Sequence, residues 1–600
     1  MILSGQLSRV YFRAQSGQSK RPCHGIVGDN YMKRITFLTL LAVGSGAALL
    51  AQPTVFSGGI VNADSLVPVG LPNADIAQGS IFSIFGTGLG PANSPGLSFP
   101  LQNTLGGVSV QVTSGGTAVN ALPLFVGPGQ INALLPSTTP TGPATLTVTT
   151  SNGTSAAANF NVVDHSFGIN SVNQSGAGVG IIDNSTYKLI TENSAAQAGD
   201  VIIIWGTGLG KVSGNEQDGP LPGNQPNIHA KVYIGAEQAT ISYQGRSGCC
   251  AGVDQIAVVV PSGVTGCHVP IAVQIDGDND IVSNWVTTSI AAPNANRVCS
   301  DATGPSSSEL LNFLDKGGSF GFVGLSRNIS TSPALPPPFG TGSPTTTTTD
   351  TGSASFVKYT PEQFSVAENI FQTYTIGACS VFVFNGQSPI IVDPTTPVGL
   401  NAGSVIDVSG PNGAKQLKPL ANFTGTYSAT LGGGSGPNAL PLYLSQGTYT
   451  IDNGAGGADV KGFNFNLTLP PPLNWTNMNS VGPVVRANGQ LVTWTGGDPN
   501  GVVTISGDSL VISTSGNGSS AVGAFFTCHA PDSAGQFTIP AAVLLTLPSS
   551  TAITVAPGIS IDAGSLSLGS SSQPVQFSAT GINLGYAGSS VTSSTTVAYQ

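Results

Sequence analysis

Charge is what this sequence has least of. Asp, Glu, Lys and Arg together make up 8% of its 600 residues, and it holds only five His, three Met and four Trp. Exposed helix faces are normally built from Lys, Glu and Arg, so this scarcity excludes helix bundles and most α/β enzymes. Six of the 18 basic residues and one of the 28 acidic ones fall within residues 1–51, which leaves the rest of the chain at a net charge of −15. An acidic chain without a basic run has no electrostatic grip on nucleic acid or on an anionic bilayer. Beyond residue 51 no stretch approaches 18 consecutive apolar residues, so the mature chain is expected to have no transmembrane segment.

In place of charge there are 80 Gly and 42 Pro, with Ser and Thr filling much of the remainder. This is turn-rich β composition. At ~100–200 residues per domain, the length implies several domains. From Met32 the chain reads MKRITFLTLLAVGSGAALLAQPT: two cations, an apolar run and a small residue at Ala51. That is a secretory signal peptide over 32–51, cleaved after Ala51, with 1–31 a doubtful N-terminal extension ahead of the true start. The expected location is secreted or cell-envelope. In an oxidising compartment the six cysteines of the mature chain are read as disulfides. The economical pairing puts two bridges among Cys249, Cys250, Cys267 and Cys299, whose connectivity stays open, and a third between Cys379 and Cys528. Zinc is disfavoured, because Cys249 and Cys250 are adjacent instead of spaced.

The strings FGTGLG at 85–90 and WGTGLG at 205–210 lie 120 residues apart, and the blocks around them match in order. AQGSIFSIFG pairs with QAGDVIIIWG, GGVSVQV with HAKVYIG, GPGQINALLP with GVDQIAVVVP, and GPATLTVTT with GCHVPIAVQI. The blocks carry a period-2 pattern suited to one buried face: Val108, Val110, Val112; Ile131, Ala133, Leu135; Ile256, Val258, Val260; Ile271, Val273, Ile275. A phosphate-binding loop would need a helix straight after its glycines. PANSPGLSFP and KVSGNEQDGPLPGNQP cannot form one. Gly86, Gly88, Gly90, Gly206, Gly208 and Gly210 are therefore read as structural turn residues, a left-handed bend leaving a buried strand. No cofactor is expected.

The order G-x-x-x-x-I-x-G-T-G-L-G, then V-x-V/I-x-G, then Q-I-x-x-x-x-P resembles the IPT/TIG group of immunoglobulin-like β-sandwiches, over roughly residues 66–292. It is also similar to the tandem repeats of secreted acidobacterial (Solibacter-type) proteins. The resemblance implies spacer, scaffold or binding modules with no catalytic residues to carry over. The expected fold is all-β: immunoglobulin-like sandwiches at 52–165 and 166–299, the second carrying the cysteine cluster. A connector with a Pro/Thr-rich loop follows at 300–355, then a further C-terminal β-sandwich region at 356–600. In that half LNAGSVIDVSGPNGAKQL, VTWTGGDPNG and the run 528–540 extend the acidobacterial resemblance. Short helices are expected at 306–318 and at 360–371, the latter capped by Thr360 with Pro361 next. TGGDPNGVVT reads as a hairpin turn.

Chemistry is sparse. GGSFG at 317–321 matches a nucleophile elbow, yet FVGLSR after it reads as a strand, not the helix an elbow requires. His165, His229, His268 and His529 sit in separate blocks. DGDND at 276–280 has the alternating carboxylates of a calcium loop but lacks its Gly and Glu, and is read as a polar turn. Trp205 is read as core, with a sugar-stacking platform as the rival for the tryptophans. The expectation is an exported non-catalytic structural, adhesive or binding protein, no enzyme, with surface glycans or envelope proteins as partners. A carbohydrate-binding accessory protein or degenerate glycan-active enzyme is the alternative.

Overall fold

The structure, a computed structural model, describes residues 52–275, 281–301, 317–337, 342–360, 375–385, 397–435, 439–515, 518–556 and 558–600, with isolated positions 309, 312, 315, 316, 361 and 363. The leader and its cleavage point, the acidic run 276–280 and most of both short helices lie outside these residues. Within 306–318, positions 309, 312, 315 and 316 are helical. The Gln363 N–H donates to Thr360 Oγ1 (3.2 Å) and the Thr360 N–H to Gln363 Oε1 (2.9 Å), a reciprocal cap around Pro361.

The four matched blocks are strands in both repeats and occupy equivalent places. In the first, the sheet path runs Ile81–Thr87, Gln130–Leu134, Thr117–Val126, Val108–Ser114 and Gly142–Thr150; in the second, Val201–Thr207, Asp254–Val259, Glu237–Arg246, Ala230–Ile234 and Gly266–Ile275. Each middle strand changes partner partway along. Thr117–Val126 pairs with Val108–Ser114 up to Ala121 and with Gln130–Leu134 from Leu122 onward, with a register shift between Pro123 and Phe125. Switching partners folds one path into two facing layers, a β-sandwich. The alternating residues supply the cores: Val108, Val110, Val112, Ile131 and Ala133 in the first, Ile256, Val258, Ile271 and Val273 in the second, all at most 1% exposed.

The C-terminal half is built on one long sheet. Its path runs Cys379–Asn385, Gly518–Pro531, Val502–Ser515, Gly564–Ser571, Leu584–Thr596, Gly318–Ser332, Thr345–Tyr359, Thr426–Gly434, Gly413–Pro419, Ile406–Gly410, Gly447–Asp452 and Asn464–Leu469. All of these pairings are antiparallel except that of Gly318–Ser332 with Leu584–Thr596. Two cores lie along the sheet. One gathers Val323, Phe356, Tyr427, Tyr449 and Leu467; the other gathers Trp475, Trp494, Ile505, Phe526 and Leu566. The chain visits them alternately, so neither lobe is a continuous stretch of sequence.

Two expectations are corrected here. The Thr run does not lie in a loose connector: 345–349 opens the strand Thr345–Tyr359, which is paired on both sides. β-branched Thr suits a half-buried pleat, and that outweighed the Pro-rich stretch before it. TGGDPNGVVT is a corner, not a hairpin. Gln490–Thr495 pairs with Gln536–Ile539, whereas Val502–Ser515 pairs with Gly518–Pro531. Gly496 and Gly497 both take φ of 83°, and the Asp498 N–H donates to Asp532 Oδ2 (2.7 Å), which turns the chain between sheets.

Candidate functional site

The glycine motifs serve two different physical needs. Gly88, Gly208 and Gly210 have φ of 66°, 109° and 123° and make the left-handed bend. Gly86, Gly206 and Gly90 do not, which corrects the reading of all six as bend residues. Gly86 and Gly206 lie inside strands, where a Cβ would collide with the carbonyl oxygens of Thr54 and Gly168. Close approach of a neighbouring backbone is what fixes glycine there.

In the second repeat the bend belongs to a buried polar junction with the first. Asp254 Oδ2 accepts the Gly208 and Leu209 N–H groups (2.9 and 2.8 Å), and its Oδ1 lies 3.3 Å from Arg246 Nε. Arg246 is 2% exposed and donates through Nη2 to the Gly79 carbonyl of the first sandwich (2.8 Å). Thr207 Oγ1 accepts the Ile81 N–H (2.9 Å), Asn62 Nδ2 donates to the Ser166 and Thr207 carbonyls, and Glu216 accepts both the N–H and the hydroxyl of Ser137 (2.7 and 3.0 Å). Ile81, Leu101, Leu122, Leu124, Leu134 and Ala251 pack beside them. Burial raises the Asp254 and Glu216 carboxyls despite Arg246, and burial together with the Asp254 charge pushes Asp64 up to about 7.

Cys267 and Cys299 are bridged, as are Cys379 and Cys528, which stand opposite each other in register with Cα atoms 3.9 Å apart. Cys249 and Cys250 fall outside both bridges, which corrects the expectation of two bridges among the four cysteines of the second repeat. They sit after the end of the strand Glu237–Arg246, with Cys249 against Trp205 and Ile203, while Cys267 and Cys299 share a separate cluster with Ala195 and Ala291. The Cys379–Cys528 link joins two strands of the long sheet.

Ser319, His165, His529 and the tryptophans lie in strands or packed positions. Ser319, at the centre of GGSFG, lies in a strand opposite Lys358. His165 Nδ1 meets the Leu209 carbonyl (2.6 Å), and burial drives His529 down to about 3. All four tryptophans are buried, with Trp285 Nε1 donating to Thr546 Oγ1 across to the C-terminal half (3.2 Å).

A cleft that the sequence reading did not anticipate opens between the C-terminal lobes, about 260 Å³ in volume. Its floor is Arg327, Ser570, Ser589 and Val591 of three adjacent inner strands; its walls are 444–446 and the run Leu469–Leu473. Pro470, Pro471 and Pro472 end the strand Asn464–Leu469 and carry the chain from one core, at Leu469, to the other, at Leu473. Three prolines cannot donate to a ladder and hold an extended conformation, so the wall is stiff. Arg327 grips Asp350 with Nε (2.7 Å) and Nη2 (2.9 Å), and Nη2 also donates to the Leu444 carbonyl. Burial works to raise the Asp350 carboxyl, but Arg327 and the Tyr443 and Leu444 N–H groups outweigh it and hold it low. Ser570 donates to Asp532 Oδ2 (2.6 Å). The one advance signal in the sequence was PPP at 470–472 after an alternating strand.

No family model matches the chain, and no curated protein does. Among solved structures it is similar to the titin tandem immunoglobulin domains A164–A165 (8% identity, 36% of this chain and 91% of that one, TM-score 0.12). Others are the SGBP-B of the Bacteroides ovatus mixed-linkage glucan utilization locus, in complex with a mixed-linkage heptasaccharide (11%, 85% and 99%, 0.11), and the mouse nectin-like molecule 4 ectodomain (8%, 66% and 95%, 0.14). Scores this low transfer neither geometry nor ligand to this chain.

Proposed function

We propose that this is an exported, non-catalytic protein of the cell envelope or extracellular space, a structural, adhesive or binding scaffold of tandem sandwiches of the IPT/TIG kind. The observation that carries the reading is the Arg246 junction. A guanidinium and a carboxylate are withdrawn from solvent to lock two modules together, a costly arrangement that suits a rigid spacer better than a flexible string of domains. Trp285 and the contact of Val67, Leu71 and Ala74 with Val383 and Val522 tie the repeats to the C-terminal half in the same spirit. The buried His529 and the strand-bound Ser319 have structural settings, which supports a role without catalysis. Among the described residues no helix is long and apolar enough to cross a membrane. Surface glycans or envelope proteins are the proposed partners.

Cell fractionation combined with thiol alkylation tests this. The protein should be found outside the cytoplasm, beginning at Gln52, with Cys267, Cys299, Cys379 and Cys528 protected until reduced. Cytoplasmic protein with those thiols reactive would overturn the proposal.

A further inference from the structure

We propose that the cleft between the C-terminal lobes is a binding site for a neutral sugar, one or two units of a glycan. The inference rests on reading the chain as a binding scaffold and adds the ligand class. Charge argues first. Arg327 is cancelled by its two-pronged bond to Asp350, so the cleft offers no net positive charge to an anion, and the chain as a whole is acidic. Backbone argues second. Arg327, Ser570 and Ser589 lie on inner strands of the long sheet, each paired on both sides, and the edge strand that reaches the wall at Leu469 runs straight into three prolines without N–H donors, so the cleft gives a peptide little ladder to add to.

What remains is side-chain chemistry of two kinds. Pro471, Leu473 and Val591 give rigid apolar faces suited to the C–H side of a sugar ring. Arg327 Nη1 makes no hydrogen bond among the described residues and stands as a donor in a fixed position. The Ser570 hydroxyl has committed its proton to Asp532, which leaves it an acceptor, and Gln446 supplies both functions at the rim. Arg327, Val591 and Ser570 stand side by side in register across three strands, so a donor and an acceptor flank an apolar surface, the combination that the hydroxyls and C–H face of a sugar ring require. The volume of about 260 Å³ lies below the ~300 Å³ of the smallest drug-sized sites, which limits the occupant to a unit or two.

The test uses the full chain against an array of neutral oligosaccharides (glucans, xylans, mannans, galactans), acidic oligosaccharides and extended Pro-rich peptides, followed by titration calorimetry of any hit and of its monosaccharide. Binding of a neutral oligosaccharide is expected. Gln446→Trp, at an exposed rim position, should weaken it at least tenfold with an unchanged melting temperature, and Gln446→Ala by about threefold. Leu491→Trp, at an exposed position that is not part of the cleft lining, should have no effect. A monosaccharide competing at the same variants supports the site; a hit confined to acidic glycans or to peptides overturns it. So does a neutral hit indifferent to Gln446→Trp, or no neutral glycan bound at millimolar concentration. Those failures would leave the fractionation result, and the scaffold reading, standing.

Discussion

The two repeats hold the same glycine bend by different means. In the first, backbone does everything: the Gly86 N–H donates to the Gly129 carbonyl (3.1 Å), Leu89 to Pro128 (3.0 Å) and Gly127 to Gln130 (2.8 Å). In the second, a carboxylate stands where the first has Gly129, since GPGQI and GVDQI align Gly129 with Asp254. Asp254 takes the two bend amides and draws Arg246 into the interior. One residue turns a self-sufficient bend into half of a joint. Duplication supplies a fold twice, and small changes at an unburdened position let one copy grip the other.

The comparison can be broken most forcefully at Arg246. Replacing it with Met leaves Asp254 buried without its counter-ion, at a cost of about 3–5 kcal/mol. Chemical denaturation should show the loss in the two repeats and not in the C-terminal half. An equal loss everywhere would mean that the junction is not local. Next in size is the double change Cys379→Ser and Cys528→Ser, which releases a bridge spanning 149 residues and should cost about 2–5 kcal/mol, felt in the C-terminal half alone.

Gly86→Ala and Gly206→Ala sharpen the contrast from the other side. Both force a Cβ against a carbonyl, so each should cost about 1–3 kcal/mol. Gly86→Ala should leave the second sandwich unchanged, while Gly206→Ala should also weaken the junction, as read by protection of the Ile81 amide. The last contrast is a response to pH of opposite sign in two places. Asp64 has a folded pKa of about 7 against an ordinary 3.8, so its ionisation costs the repeats stability that returns as pH falls from about 7 towards 4. His529 is held at about 3 against 6.5, so the C-terminal half loses stability as pH falls below 6.5. Hydrogen exchange at pH 7 and pH 5, corrected for intrinsic rates, should show the repeats gaining protection while the strand Gly518–Pro531 loses it.

The repeats were legible because their signals are local. Alternation placed Val108, Val110 and Val112 on a buried face, and matched order disclosed the duplication; in Gly266–Ile275, where Ile271 and Val273 gave the same expectation of one buried face, both faces are buried, because Ala272 on the other side packs into the core of the C-terminal half. The pairing of Cys379 with Cys528 could be guessed because few other partners remained. The junction and the cleft were not legible, since both depend on residues brought together from far apart. Nothing near Arg246 in sequence announces Gly79, and nothing near Pro471 announces Arg327. The bend glycines were half-read for the same reason: a pattern can say that glycine is required, but only the neighbouring strand shows that Gly86 and Gly206 are there for space and not for a positive φ. The hairpin assigned to TGGDPNGVVT failed because turn chemistry fixes a change of direction, not the partner that the next strand takes.

Native-state hydrogen exchange of the full chain in increasing denaturant tests the fused scaffold most directly. Core amides of Val108–Ser114 and Ala230–Ile234 report separately on the two sandwiches. They should open with one shared free energy in the wild type and separate into two in the Arg246→Met variant. Independent opening of the first sandwich in the wild type would contradict a fused scaffold.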